Sequence, residues 1–125
     1  MLVHGDLTED HLLLKRRQGR WAITGLIDFG DAHACPREYE WPALWLDLLR
    51  QDTEALRAFF DSYDWTVLED ENFTRRAFVW TLFHDFGTEM VEDALKRYDE
   101  PPVRSVDDLR EVLWPNLTAP SRGLV

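Results

Sequence analysis

Two short stretches carry side chains suited to phosphate chemistry: "LVHGDLTEDH" at residues 2–11 and "GLIDFGDA" at 25–32. In the first, Asp6 follows His4 and Gly5, so a tight loop can present its carboxylate. An Asp held this way can take the proton of a hydroxyl as that hydroxyl attacks phosphorus. His4 can pin the loop by hydrogen bonds and packing, and Gly5 lets the backbone turn. In the second stretch, Asp28 ends an apolar run and precedes Phe29 and Gly30. A carboxylate there is a natural ligand for Mg²⁺, which prefers oxygen and keeps several waters. Each stretch alone has a plainer reading: a chance loop for His-Gly-Asp, and a β-turn with Gly30 supplying a positive φ for Asp28. The pair is more specific, because 22 residues separate Asp6 from Asp28, room for a strand, a turn and a returning strand.

The elements that must position these carboxylates follow from the pattern. "HLLLK" at 11–15 and "WAITGLIDF" at 21–29 read as strands, and "RRQG" between them as a turn with Gly19 at its end. From residue 41 the apolar period becomes helical. Trp41, Leu44, Trp45, Leu48 and Leu49 mark one helix, with Pro42 tolerable in its first turn. Leu56, Phe59, Phe60 and Tyr63 mark a second, capped by Asp52 or Thr53. "NFTRRAFVWTLFHDF" at 72–86 predicts a buried helix whose cleanest stripe is Val79, Leu82, Phe83 and Phe86, bent or broken at Gly87. Met90, Val91, Ala94, Leu95 and Tyr98 define a fourth helix. A capping box at Ser105 and Asp108 opens a fifth that Pro115 ends. The expectation is an α+β domain, mostly α-helical, over residues 1–117, with a flexible tail at 118–125.

With the pattern complete, "LVHGDLTEDHLLL" and "ITGLIDFGDA" resemble the catalytic and metal-binding segments of the aminoglycoside phosphotransferase family, which is related to protein kinases. "CPREYEWPAL" resembles a third family segment, with Pro36 and Tyr39 matching and Glu40 in place of Asp. The resemblance covers roughly residues 1–50. It implies the C-terminal lobe of a protein-kinase-like fold, with the hairpin carrying both motifs. It implies transfer of the γ-phosphoryl of ATP or GTP to a small-molecule hydroxyl, with Mg²⁺ as cofactor. Asp6 would be the catalytic base, with His4 beside it, and Asp28 the principal metal and nucleotide ligand. Glu40 would brace the loop. The family's Asn falls on His11, which would take its place at the metal and nucleotide, although nitrogen suits Mg²⁺ less than oxygen.

The same resemblance calls for a strand-rich lobe with a phosphate-covering loop and a strand lysine. The six glycines form no Gly-rich loop, and the two lysines, Lys15 and Lys96, read as surface residues. The sequence therefore predicts a chain that begins in mid-domain. The missing lobe would come in cis or from a self-association partner, and the isolated chain would be inactive. An exposed apolar edge near Leu2, Val3 and Leu12 would favour association. Two other readings stand beside this one. One is a non-catalytic remnant or association module. The other is a helical metal-dependent phosphohydrolase using the adjacent His84 and Asp85 with His4 and Asp28.

Composition narrows the partners. A net charge of −10 argues against nucleic acid and suits a cationic small substrate, although acidity also serves solubility alone. Glu9 and Asp10 could face such a substrate, or be a solvated loop. No apolar run reaches a membrane span, and the N-terminus lacks the pattern of a signal peptide, so a cytoplasmic location is expected. The lone Cys35 rules out an internal disulfide. Asp31 and His33 read as turn and loop structure.

Overall fold

A computed structural model describes residues 1–117; the tail expected at 118–125 lies outside the described residues. The chain mixes helices and strands, with helix predominating. Four short strands come first: β1 (Leu2–Val3), β2 (Leu12–Arg17), β3 (Arg20–Leu26) and β4 (His33–Ala34). β1 pairs antiparallel with β4, and β2 with β3. The β2–β3 hairpin turns at Gln18 and Gly19, both at positive φ. That backbone matches the right-handed twist of the flanking strands and asks for a Gly at one of the two positions. Arg17 pairs with Arg20 and Leu12 with Leu26, with a register shift between Leu13 and Leu14.

The helical part follows: α1 (Thr53–Tyr63), α2 (Phe73–Phe83), α3 (Gly87–Lys96) and α4 (Val106–Leu113). Asp52 caps α1 by accepting the Ala55 amide at 3.0 Å, and Ser105 caps α4 by accepting the Asp108 amide at 3.0 Å. Asp108 reaches back to accept the Arg104 amide, one residue before the cap. Where the sequence predicts a helix from Trp41, the chain forms a widened π turn over Ala43–Leu48, closed by the Leu49 amide on the Leu44 carbonyl at 2.8 Å. Arg50 and Gln51 leave it at positive φ, and the Gln51 side chain donates to the Val112 and Leu113 carbonyls.

The core lies among this turn and the four helices. Trp45, Leu56, Phe60, Phe73, Met90 and Trp114 are buried in it. Its polar groups are matched: Trp45 donates to the Leu113 carbonyl at 2.7 Å. Trp114 donates to the Thr81 hydroxyl at 2.9 Å, which in turn donates to the Ala77 carbonyl.

Helix α2 departs from the expected pattern in two ways. Its buried face is Phe73, Ala77, Phe78 and Thr81, and the predicted stripe Val79, Leu82 and Phe83 faces solvent, Phe83 being 73% exposed. The helix is apolar on both sides, so periodicity could not choose between them; small Ala77 and hydrogen-bonding Thr81 let it sit close against Trp114. The helix also ends before Gly87. His84 is extended, and Gly87 begins α3. Of the apolar edge expected at Leu2, Val3 and Leu12, Val3 is buried and Leu12 partly so, leaving Leu2 alone fully exposed.

Candidate active site

The His-Gly-Asp loop is held from three sides. His4 is buried, and its Nδ1 accepts the Asp6 amide at 3.2 Å, so Nε2 carries the proton that goes to the Ile27 carbonyl at 2.8 Å. One imidazole thus ties the loop to the residue before Asp28. The Gly5 amide donates to Glu40 Oε1 at 2.8 Å. Gly5 sits at φ +86°, and a Cβ there would come within 2.5 Å of the Asp31 carbonyl oxygen. Only glycine meets both conditions.

His11 joins the two motifs. It follows a short 3₁₀ turn, Glu9–His11, and its carbonyl accepts the Ile27 amide at 2.9 Å, extending the hairpin ladder toward the site. Its Nδ1 lies 2.7 Å from the Asp6 carbonyl and 4.0 Å from Asp6 Oδ2. Its Nε2 lies 3.3 Å from Asp28 Oδ2. A single ring spans the gap, so the two carboxylates lie within about 10 Å of each other. The carbonyl can only accept, so Nδ1 carries a proton. Nε2 and Asp28 Oδ2 then face each other either across a second ring proton or as two acceptors that a cation would bridge.

Asp28 itself occupies the left-handed region at φ +61°, and its side chain is 58% exposed. The positive φ in this turn therefore belongs to Asp28 and not to Gly30. Asp tolerates that backbone better than most residues. The strained position aims a carboxylate into solvent beside His11, where it can meet a ligand.

A magnesium ion fits this donor set in part. Asp28 offers exposed carboxylate oxygen, and the His11 nitrogen beside it is the less suited partner. Among the described residues no group of three or more His, Cys, Asp or Glu side chains could hold a metal. An ion here would take its other ligands from phosphate and water, as Mg²⁺ commonly does.

The remaining candidates fall away from this centre. Glu9 pairs with Arg50 at 3.0 Å in solvent. The Asp31 carbonyl accepts from His33 Nδ1, and His33 packs edge-on against Tyr39. His84 is 6% exposed and stacked on Tyr39, with Nδ1 accepting the Phe86 amide and Nε2 without a hydrogen-bond partner among the described residues. Burial holds its pKa below the ordinary histidine value. No metal-ligating group unites His84 and Asp85 with His4 and Asp28, which removes the geometry a helical phosphohydrolase needs.

Sequence reasoning missed Asp47. It lies half-buried in the π turn, and its carboxyl is pushed up to about 6, first by burial and then by the negative charges of Asp93 and Asp6. A lone carboxylate inside "WPALWLDLL" was the available signal. In the sequence Tyr39 stands out only as a motif match. It is buried, its hydroxyl accepts the Asp85 amide at 3.1 Å, and burial raises its pKa.

The hairpin thus joins the His-Gly-Asp loop to the turn that carries Asp28. The family model of the phosphotransferase enzyme family (APH) matches residues 1–79, and the chain belongs to that family. No solved structure matches the chain. No helix among the described residues is long and apolar enough to cross a membrane.

Proposed function

We propose that residues 1–117 are the C-terminal lobe of a kinase-like phosphotransferase of the aminoglycoside type. It passes the γ-phosphoryl of ATP or GTP to the hydroxyl of a small molecule, a cationic one in keeping with the acidic chain. The observation that carries this reading is His11 standing between the Asp6 loop and the Asp28 carboxylate, at 2.7 Å and 3.3 Å.

In this reading Asp28, with His11 beside it, would hold Mg²⁺, which when bound would neutralise charge on the triphosphate oxygens. Asp6 accepts the acceptor hydroxyl's proton as its oxygen forms the new bond to the γ-phosphorus, and the bond to the nucleoside diphosphate breaks. His4 and Glu40 act as positioning residues. They fix the loop before substrate arrives, so the base is aligned at no further cost in order. The phosphate-covering loop and strand lysine come from outside these 125 residues, in cis or from a partner, and the reaction takes place in the cytoplasm.

Calorimetry with Mg²⁺-ATP on the chain tests the nucleotide half. With contacts from the floor alone, the dissociation constant should lie at about 0.1–1 mM. Asp28→Asn should abolish the heat, and Asp6→Asn should retain it. Supplied with a strand-rich lobe, Asp6→Asn should still bind nucleotide while turnover falls by about a hundredfold or more. Binding that ignores Asp28→Asn would refute the assignment.

A further inference from the structure

Tyr39 touches both supports of the Gly5 backbone. It lies in the short 3₁₀ turn Arg37–Glu40, directly before Glu40, whose carboxylate accepts the Gly5 amide at 2.8 Å. Its ring meets His33 edge-on, with centroids 4.7 Å apart. His33 Nδ1 donates to the Asp31 carbonyl at 2.9 Å, and that carbonyl lies against Gly5. Two routes thus lead from Tyr39 to the loop that carries Asp6. The ring also stacks on His84, with centroids 4.2 Å apart and planes 19° from parallel. The hydroxyl accepts the Asp85 amide at 3.1 Å. Tyr39 therefore joins the loop to the corner where α2 gives way to α3.

That corner turns on His84. Its Nδ1 accepts the Phe86 amide at 3.1 Å, so the proton of the neutral ring sits on Nε2, buried without a hydrogen-bond partner among the described residues. A second proton would go to Nδ1 and set a donor against a donor. The corner has no slack to absorb this. The Gly87 amide donates to the His84 carbonyl at 3.0 Å, and Gly87 packs so tightly on the Thr81 carbonyl that no Cβ would fit. We infer that Tyr39 is a positioning residue for the Asp6 loop and that His84 governs it by its proton. With His84 neutral, the corner holds Tyr39 and the Glu40–Gly5 bond. With His84 protonated, the Phe86 amide is expelled, the corner opens and that bond loosens.

The groups facing the imidazole act in both directions. Burial is the largest influence and opposes the charged ring, as does His33 on β4. Asp85 beside it and Asp6 on the loop favour the charged ring, and so does the face of Tyr39. That Asp6 is a base rests on the phosphotransfer reading. The coupling does not, and it is measured without substrate or nucleotide.

Nuclear magnetic resonance on the isotope-labelled chain tests it from about pH 8 to about pH 5, the range in which histidines titrate. The His84 ring signal gives its midpoint. Hydrogen exchange gives the protection of the Gly5 amide relative to that of the Phe60 amide inside α1, which removes any change in global stability. Relative protection at Gly5 should fall by roughly tenfold with the His84 midpoint, the scale of one amide bond to a carboxylate. His84→Asn keeps an acceptor for the Phe86 amide and gains no proton, so Gly5 should stay protected throughout. Tyr39→Phe keeps the ring and releases the Asp85 amide, so His84 should still titrate while the step at Gly5 is lost. Should His84→Asn fail to fold by circular dichroism, Tyr39→Phe decides. A Gly5 amide indifferent to the His84 midpoint, a step centred on another group such as Asp47 or Glu40, or a step that survives in either variant would overturn the inference.

Discussion

Asp47 should make the protein more stable in acid than its neighbours would suggest. The side chain sits half-buried in the π turn with no hydrogen-bond partner among the described residues, and its carboxyl is pushed from 3.8 to about 6. Burial is the largest cause. Asp93 and Asp6 add to it, and Arg97 and Arg50 partly offset it. A shift of about two pH units corresponds at face value to about 3 kcal/mol against the ionised form. The carboxyl still meets solvent on one side, and screening there reduces the net effect to about 1–2 kcal/mol. Between pH 4 and 6 the native state holds a proton that the unfolded chain has released, so stability falls as pH rises through that window. The penalty is complete above about pH 6 and absent below about pH 3.8. Asp47→Asn removes the charge and keeps the shape. It should be more stable than the parent by about 1–2 kcal/mol at pH 8, with the advantage vanishing by pH 4. Urea unfolding at pH 4, 5, 6, 7 and 8, followed by tryptophan fluorescence, measures the difference directly. His84 titrates in the opposite sense but is common to both proteins and cancels. A constant offset from the new amide would not matter, because the reasoning concerns the slope. A difference between the two proteins that does not change from pH 4 to pH 8 would refute it.

Other outcomes follow from single contacts. Gly5→Ala should cost at least about 2 kcal/mol, seen as a fall in melting temperature of several degrees, because a positive φ and the Asp31 carbonyl oppose the same Cβ. Thr81→Val should cost about 1–3 kcal/mol by stranding the buried Trp114 N–H, and Thr81→Ser should recover most of it in the same unfolding assay. His84, neutral because it is buried, contributes stability that is present above about pH 6.5 and lost as pH falls through its lowered native value; His84→Phe should flatten that part of the stability profile.

The hairpin was legible because its instructions are local. Gly19 permits the turn, and apolar strands on either side pair only when that turn forms. The caps at Asp52 and Ser105 were legible for the same reason, since a side chain and an amide three residues away decide them. The meeting of Asp6 and Asp28 followed from hairpin arithmetic alone. His11 could be counted as a motif position, but its bridging of the two needed the Glu9–His11 turn and the Ile27 amide in place. The α2 sequence offers two apolar faces, and the choice was made by Trp114 and Leu113, which arrive more than 30 residues later. The π turn at Ala43–Leu48 has no local signature, because an extra residue per turn is paid for by the packing it permits around Trp45. Asp47 looked like any acid on a helix. Its raised pKa comes from burial by distant elements and from Asp93 and Asp6, charges far away in the chain, which only the tertiary fold brings near. Residue types and short spacings therefore determined which groups could do chemistry. Long-range packing decided which of them are buried, strained or left facing solvent, because burial depends on elements that no local window contains.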